Sequence, residues 1–404
     1  MTELSFLPAW PPALSQPVLF GALLAVALLA GEAARRYAAL PRITGFALAG
    51  IVLGPQVTGL VGHDVLAAAR VLIDLSIGLI VFELGYRCDL KWLRRNPWLP
   101  VTALGESAFA FVAIYGTLLF FEFRPLLAAA AAAIGTATSP AVVMLLVHEL
   151  RAEGQVTERM LLFTTVNCVF AYIVLTLLLP FLHLEHAVSW QAALFHPVYL
   201  LGGSILAGLL ACAIMLALAR WLGKREDRQF ILQIAVIVLT VGVARSLDLS
   251  VMVALVVLGM LARNIDRTHL LMPLRLGYGG QLFFLILFVL TGASLEFGAF
   301  ATSGLAVAGF IAARFVGKAL ALVLLGRASG LRTGMAGLLA VALLPMSGLA
   351  VVMVQDTMGL YPVFGKELAS VLMAAVAVLA LAGPIATQFA LRAAGEAEPG
   401  ERGG

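Results

Sequence analysis

Thirteen stretches of about 20 mainly apolar residues divide this chain, which is as much as one helix needs to cross a hydrocarbon layer of roughly 30 Å. They lie near 17–34, 43–60, 66–86, 98–121, 125–147, 159–182, 194–220, 229–246, 249–263, 279–297, 299–326, 333–355 and 367–391. Little of the chain is left over. Of its 404 residues 62% are hydrophobic and 12% are charged, against about 25% charged in an ordinary soluble domain. That balance excludes a soluble enzyme, a nucleic-acid binder and a disordered chain. The sequence predicts an all-α polytopic membrane protein with about 13 transmembrane helices.

The basic residues test the span count. Twenty of the 26 Lys and Arg fall in one alternating set of loops, four (Arg70, Arg124, Arg245 and Lys366) in the other, and two (Arg314 and Lys318) inside the eleventh span. One miscounted span would scramble that alternation. The positive-inside rule then predicts an outside N-terminus and a cytoplasmic C-terminus. The first basic residue, Arg35, follows the first apolar stretch. A cleaved signal carries its positive charge before that stretch, so the first span is expected to stay as a membrane helix.

Several chemistries find no residues. Cys88, Cys168 and Cys212 are far apart and odd in number, which predicts no disulfide framework and no metal site. No HExxH motif occurs, and Gly202-Gly203-Ser204 has no plausible His neighbour. Neither an enzyme nor a cofactor is expected.

An internal repeat organises the spans. ALAGIVLG (47–54) in span 2 parallels MVALVVLG (252–259) in span 9, and IVFELGYRCDL (80–90) in span 3 parallels LFVLTGASLEF (287–297) in span 10. An offset of seven spans inverts the second copy in the membrane, a hallmark of secondary transporters. Spans 5 and 12 extend the pattern. Each is interrupted, by Gly135-Thr136-Ala137-Thr138-Ser139-Pro140 and by Leu344-Pro345-Met346-Ser347-Gly348. Proline removes a backbone donor and clashes with the preceding turn. Ser139 suits an N-cap and Pro140 a first helical position. Helix ends left bare inside a membrane are tolerated where they line a cavity or bind something. Two repeat-related breaks therefore mark the candidate transport site.

Taken in order, these stretches resemble the monovalent cation:proton antiporter superfamily, the sodium/hydrogen exchanger membrane domain. GFALAGIVLGP (45–55), LIVFELGYRCDLKWLRR (79–95), GTATSPAVV (135–143), LFFLILFVLTGASLEF (282–297), ARFVGKALA (313–321) and LLPMSGLAVV (343–352) carry the resemblance over nearly the whole chain. It implies two inverted six-helix repeats with crossed broken helices. The implied organisation is scaffold helices 1–3 (1–97), core helices 4–6 (98–182), linker helix 7 (183–228), scaffold helices 8–10 (229–297), core helices 11–13 (298–391) and a short cytoplasmic tail (392–404). It also implies a homodimer moving ions by an elevator-like alternation; the Ala-, Gly- and Leu-rich composition without targeting signals suits a plasma (inner) membrane.

The match departs at one position. Where the family's sixth span usually carries Asn-Asp or Asp-Asp, with the aspartate binding cation or proton, this chain has Asn167-Cys168. The ion or proton site candidates are therefore Thr138, Ser139, Thr165, Asn167, Cys168 and Ser347, within a wider polar cluster that includes Thr136, Thr164 and Gln355. The charged intramembrane candidates are Glu83, Glu106, Arg314 and Lys318. Arg314 and Lys318 stand four apart on one helix face, and at least one of them should pair with Glu106 or Glu83. Charge at the bilayer centre costs about 2.5–3.5 kcal/mol on insertion scales and is rarely kept without partner or use.

Three functions fit. One is exchange of a monovalent cation (Na⁺ or K⁺) for protons. The second keeps the fold but moves an anion or another solute without proton coupling. The third is a non-transporting membrane partner.

Overall fold

The structure, a computed structural model, describes residues 16–185, 190–223, 225–266, 271, 277–294, 300–346 and 348–397. Among these residues there is helix and no strand. Sixteen helices follow one another: α1 (Gln16–Ala38), α2 (Arg42–Leu53), α3 (His63–Tyr86), α4 (Leu90–Arg95), α5 (Trp98–Phe120), α6 (Pro125–Thr136), α7 (Pro140–Leu150), α8 (Gln155–Glu185), α9 (Trp190–Leu222), α10 (Glu226–Ser246), α11 (Val251–Ile265), α12 (Gly277–Ala293), α13 (Phe300–Leu325), α14 (Thr333–Ala342), α15 (Gly348–Leu360) and α16 (Pro362–Ala393). These are the thirteen expected spans, two of them divided at the expected breaks, plus the short loop helix α4. Eight described segments are long and apolar enough to cross a membrane, Pro125–Leu150 counting as one, and four shorter apolar helices join them. The protein is an integral, multi-pass membrane protein.

Two details differ from the sequence reading. Span 2 was expected to reach residue 60, but α2 ends at Leu53. Gly54 precedes Pro55 and takes an extended backbone (ψ 173°), because proline disfavours helical geometry in the residue before it. The chain then folds back through Gly59 N–H to Gly54 O (2.9 Å) and Val61 N–H to Leu53 O (2.9 Å). The helix α4 was not expected. Asp89 starts it, its carboxylate accepting from Lys91 N (2.8 Å) and Trp92 N (3.3 Å).

Two groups of helices pack mainly among themselves: α5–α8 with α13–α16, and α1–α3 with α10–α12, while α9 lies against α8, α10 and α11. In the second group the repeat is visible as a pair of matching crossings, α2 on α12 and α3 on α11. Glycines from the repeated motifs make both. A Cβ on Gly292 would stand 2.3 Å from Ala47 O, and one on Gly54 would stand 2.9 Å from Ala293 O. At the other crossing a Cβ on Gly85 would stand 2.6 Å from Val256 O, and one on Gly259 would stand 2.3 Å from Phe82 O. Only hydrogen fits, so backbone lies on backbone, as small residues permit between membrane helices. Of Gly202-Gly203-Ser204, the last two serve packing, and a Cβ on Gly203 would stand 2.6 Å from Leu249 Cδ2. Ser204 is buried in α9, and its hydroxyl accepts from Ser250 N (2.9 Å) at the start of α11.

Candidate functional site

The interrupted helices α6/α7 and α14/α15 cross at their breaks. Ser139 N–H donates to Pro345 O (2.9 Å), and the Thr138 hydroxyl donates to Leu343 O (3.1 Å). Ser139 caps α7, its hydroxyl accepting from Val142 N (3.4 Å), and Pro140 takes the first helical position. On the other side of the crossing, Gly383 of α16 gives room to Pro345, whose Cα would stand 2.6 Å from an added Cβ.

A helix end leaves its last carbonyl groups without partners, and inside a membrane each must find one. From Ala133 to Thr138 all six do. Ala133 O accepts from the Thr136 hydroxyl (2.8 Å) and Ile134 O from Ala137 N (3.1 Å). Gly135 O and Ala137 O accept from the Arg314 guanidinium, the latter at 2.9 Å. Thr136 O accepts from Lys318 Nζ (3.2 Å) and Thr138 O from the Cys168 thiol (3.1 Å). Arg314 also reaches Leu343 O (3.2 Å) and Pro345 O (3.4 Å) of the second break. One guanidinium thus ties the C-terminal ends of two half-helices, where the helix dipole favours a cation.

One turn along α13, Lys318 pairs with Glu106 of α5, and both side chains are 0% exposed. Glu106 sits in the buried stripe of α5 between Leu99, Ala103, Ala110 and Ile114. Gly317 lets α13 come close enough, since a Cβ there would lie 2.7 Å from Ala110 Cα. Lys318 Nζ also points at the Thr138 hydroxyl (3.4 Å). Asn167 of α8 completes the group. Its amide donates to Thr138 Oγ1 (3.1 Å) and Glu106 Oε1 (3.5 Å), and its Oδ1 accepts from the Ser107 hydroxyl (2.7 Å). Glu106 Oε2 is buried and has no hydrogen-bond partner among the described residues, as does Thr164 Oγ1.

The structure thus brings together Thr138, Asn167, Cys168, Glu106, Arg314 and Lys318, with Ser139 beside them as a cap. It sets others apart. Thr165 turns its hydroxyl to its own helix, donating to Leu161 O (3.1 Å). Glu83 lies elsewhere, paired with Arg87 (3.1 Å) and within 3.4 Å of His148 Nε2. Gln355 is exposed on α15, and Ser347 lies outside the described residues. Sequence reasoning missed Ser107. Its place beside Glu106 was the available signal, yet its role depends on Asn167, 60 residues away. Among the described residues no group of His, Cys, Asp and Glu could hold a metal ion.

Comparison with known proteins agrees with this architecture. The family model described as "Sodium/hydrogen exchanger, transmembrane" matches residues 21–393. No curated protein sequence matches the chain. Among solved structures, the sodium proton antiporter MjNhaP1 from Methanocaldococcus jannaschii at pH 8 superposes with a TM-score of 0.63 at 18% identity, covering 93% of this chain and 95% of that one. An electron-microscopy structure of the same antiporter gives a TM-score of 0.55 at 18% identity, over 96% of this chain and 100% of that one. At that identity the likeness speaks for the fold, and the family match for the class of protein: the chain belongs to the sodium/hydrogen exchanger family, whose members are membrane transporters and not enzymes.

Proposed function

We propose that this protein is a secondary active transporter exchanging a monovalent cation, Na⁺ or K⁺, for protons at the crossing of its broken helices. The observation that carries this reading is the buried Lys318–Glu106 pair and the oxygens around it. An ammonium group is a tethered monovalent cation with three donors. Here it rests on a carboxylate, on Thr136 O and on the Thr138 hydroxyl. A cation stripped of water needs oxygen ligands of this kind, preferably with a negative charge among them. When Lys318 loses its proton, Glu106 keeps its charge and can take the transported ion, with Glu106 Oε2 and Asn167 Oδ1 as further oxygens. When Lys318 regains the proton, it takes the carboxylate back. Proton and cation so compete for one negative charge, and Cys168 need not titrate. The likeness to a sodium proton antiporter makes Na⁺ the first ion to try.

In this proposal α5–α8 and α13–α16 form the core that moves. The helices α1–α3 and α10–α12 form a scaffold that pairs with a second copy, and α9 links the two. The N-terminus is outside and the tail faces the cytoplasm of a cell with this protein in its plasma membrane. The uneven spread of basic residues supports that orientation. The anion reading gains little from Arg314, whose two terminal nitrogens are taken up by carbonyl oxygens.

The test is exchange in proteoliposomes that hold a proton gradient and a pH dye. Addition of Na⁺ or K⁺ is expected to collapse the gradient, and Glu106→Gln to abolish that response in folded protein. Retained cation-driven proton movement in Glu106→Gln would remove Glu106 from the mechanism. A flux that follows the anion and ignores the cation would sink cation exchange altogether.

A further inference from the structure

We propose that Glu396, beyond the end of α16, is a positioning residue for the exchange site: its carboxylate closes the N-terminus of α8 and so sets the depth at which α8 presents Asn167. This rests on Asn167 belonging to the site as proposed above.

The helix α8 starts at Gln155, directly after Gly154, a residue with no side chain to cap it. Its first free N–H groups need acceptors. Glu396 supplies them from another part of the chain. Val156 N donates to Glu396 Oε1 (2.7 Å), and Thr157 N (2.7 Å) and the Thr157 hydroxyl (2.8 Å) donate to Oε2. Glu153 N donates to the Glu396 carbonyl (2.9 Å). Charge-assisted bonds of this kind are short and strong, and a negative group suits the N-terminal end of a helix dipole. The fit is close. A Cβ on Gly154 would lie 2.3 Å from Glu396 Cδ, so glycine there is what lets the carboxylate in.

The same turn is held from a second direction. Gln155 Nε2 donates to Gly330 O (3.0 Å) and Arg159 Nη2 to Ser329 O (2.7 Å), both in the turn between α13 and α14. These anchors come from the second repeat and the segment that follows it.

A helix transmits displacement along its axis. Asn167 lies eleven residues beyond Val156, about 16 Å along α8. Its bond to Glu106 is 3.5 Å long, at the limit of what counts as a hydrogen bond, so a small slip of α8 breaks it. Cys168 is the neighbouring residue, 1% exposed. Its thiol reports the same slip without any reference to transport.

The experiment uses the full chain with Cys88 and Cys212 replaced by Ser, leaving Cys168 as the sole thiol. In Glu396→Ala a small membrane-permeant maleimide should label Cys168 about tenfold faster, on the scale of one lost charge-assisted bond. The KM for the cation should rise severalfold, with the maximal rate less affected. Glu396→Gln keeps an acceptor oxygen and should fall in between. A chain ending after Ala394 should behave like Glu396→Ala. A lowered thermal midpoint with unchanged labelling and unchanged KM would overturn the proposal, because the contact would then be only a structural cap. Faster labelling with unaltered exchange would uphold the hold of Glu396 on α8 and would instead remove Asn167 from the exchange site.

Discussion

The molecule crosses its repeats in two opposite ways. Where α2 meets α12 and α3 meets α11, glycines bring backbone against backbone, and Arg263 reaches the second contact only at its end, over the Tyr86 ring. Where α6/α7 meets α14/α15, the chain stops being helical and its carbonyl groups reach for Arg314, Lys318, Cys168 and Thr138. The same inversion yields a dry contact in one place and a polar centre in the other. The difference lies in the backbone. A continuous helix satisfies its own polar groups, so close packing suffices. A broken helix must recruit donors, and the donors it recruits bring charge into the membrane. The dry crossings suit a part that holds its shape, and the polar one suits a part that binds.

Breaking the polar crossing should cost most. Glu106→Gln or Lys318→Met alone leaves one buried charge unpaired and should lower stability by about 3–5 kcal/mol, with loss of exchange. Unfolding in detergent beside the proteoliposome assay would measure both. Glu106→Leu combined with Lys318→Met should restore most of the stability, Thr136 O alone losing its donor, and leave exchange at zero. If the double variant still exchanges ions, the charge is not what the polar crossing is for. Arg314→Gln comes next. Leu343 O and Pro345 O keep other donors, but Gly135 O and Ala137 O lose theirs. At about 1–3 kcal/mol per orphaned group, the thermal midpoint should fall visibly.

The dry crossing should yield a different signature. Gly292→Val overpacks α12 on α2 and should cost about 1–3 kcal/mol. The protein that folds should keep its KM for the cation, and a changed KM would mean that the two crossings are coupled. Cys168 gives the smallest effect. Cys168→Ala leaves Thr138 O without its donor, a weak one because it is a thiol, and should cost about 1 kcal/mol, with exchange retained. Cys168→Asp sharpens the comparison. It sets a carboxylate against a carbonyl that now accepts a thiol proton, a clash of acceptors that a bound cation relieves. Its apparent cation affinity should rise by about tenfold, read from the same exchange assay.

Much of this was legible in the sequence because it is local. Span length, the alternation of basic loops and the two interruptions are each contained within a few dozen residues. The order Ser139-Pro140 already spells a helix start. Glu83 and Glu106 looked alike as acids in apolar spans. One clue separated them, since Arg87 stands one turn beyond Glu83 and takes it as a partner. The centre itself was harder to read. Glu106 finds Lys318 212 residues away, and no periodicity encodes that distance. Backbone acceptors such as Gly135 O and Ala137 O have no sequence signature, and they become visible only when the breaks are placed against α13. The helix α4 escaped for a simpler cause, since six residues are too few to show a period.

Arg314 has an electrical consequence. Glu106 balances Lys318, while the carbonyl groups that hold Arg314 are dipoles without net charge, so the centre carries one uncompensated positive charge. In the proposed alternation that charge travels with the core. A membrane potential does work on it, roughly 2.3 kcal/mol per elementary charge for each 100 mV fully traversed. In a cell with a negative interior, the resting voltage would draw the core with Lys318 protonated toward the cytoplasm before any cation binds.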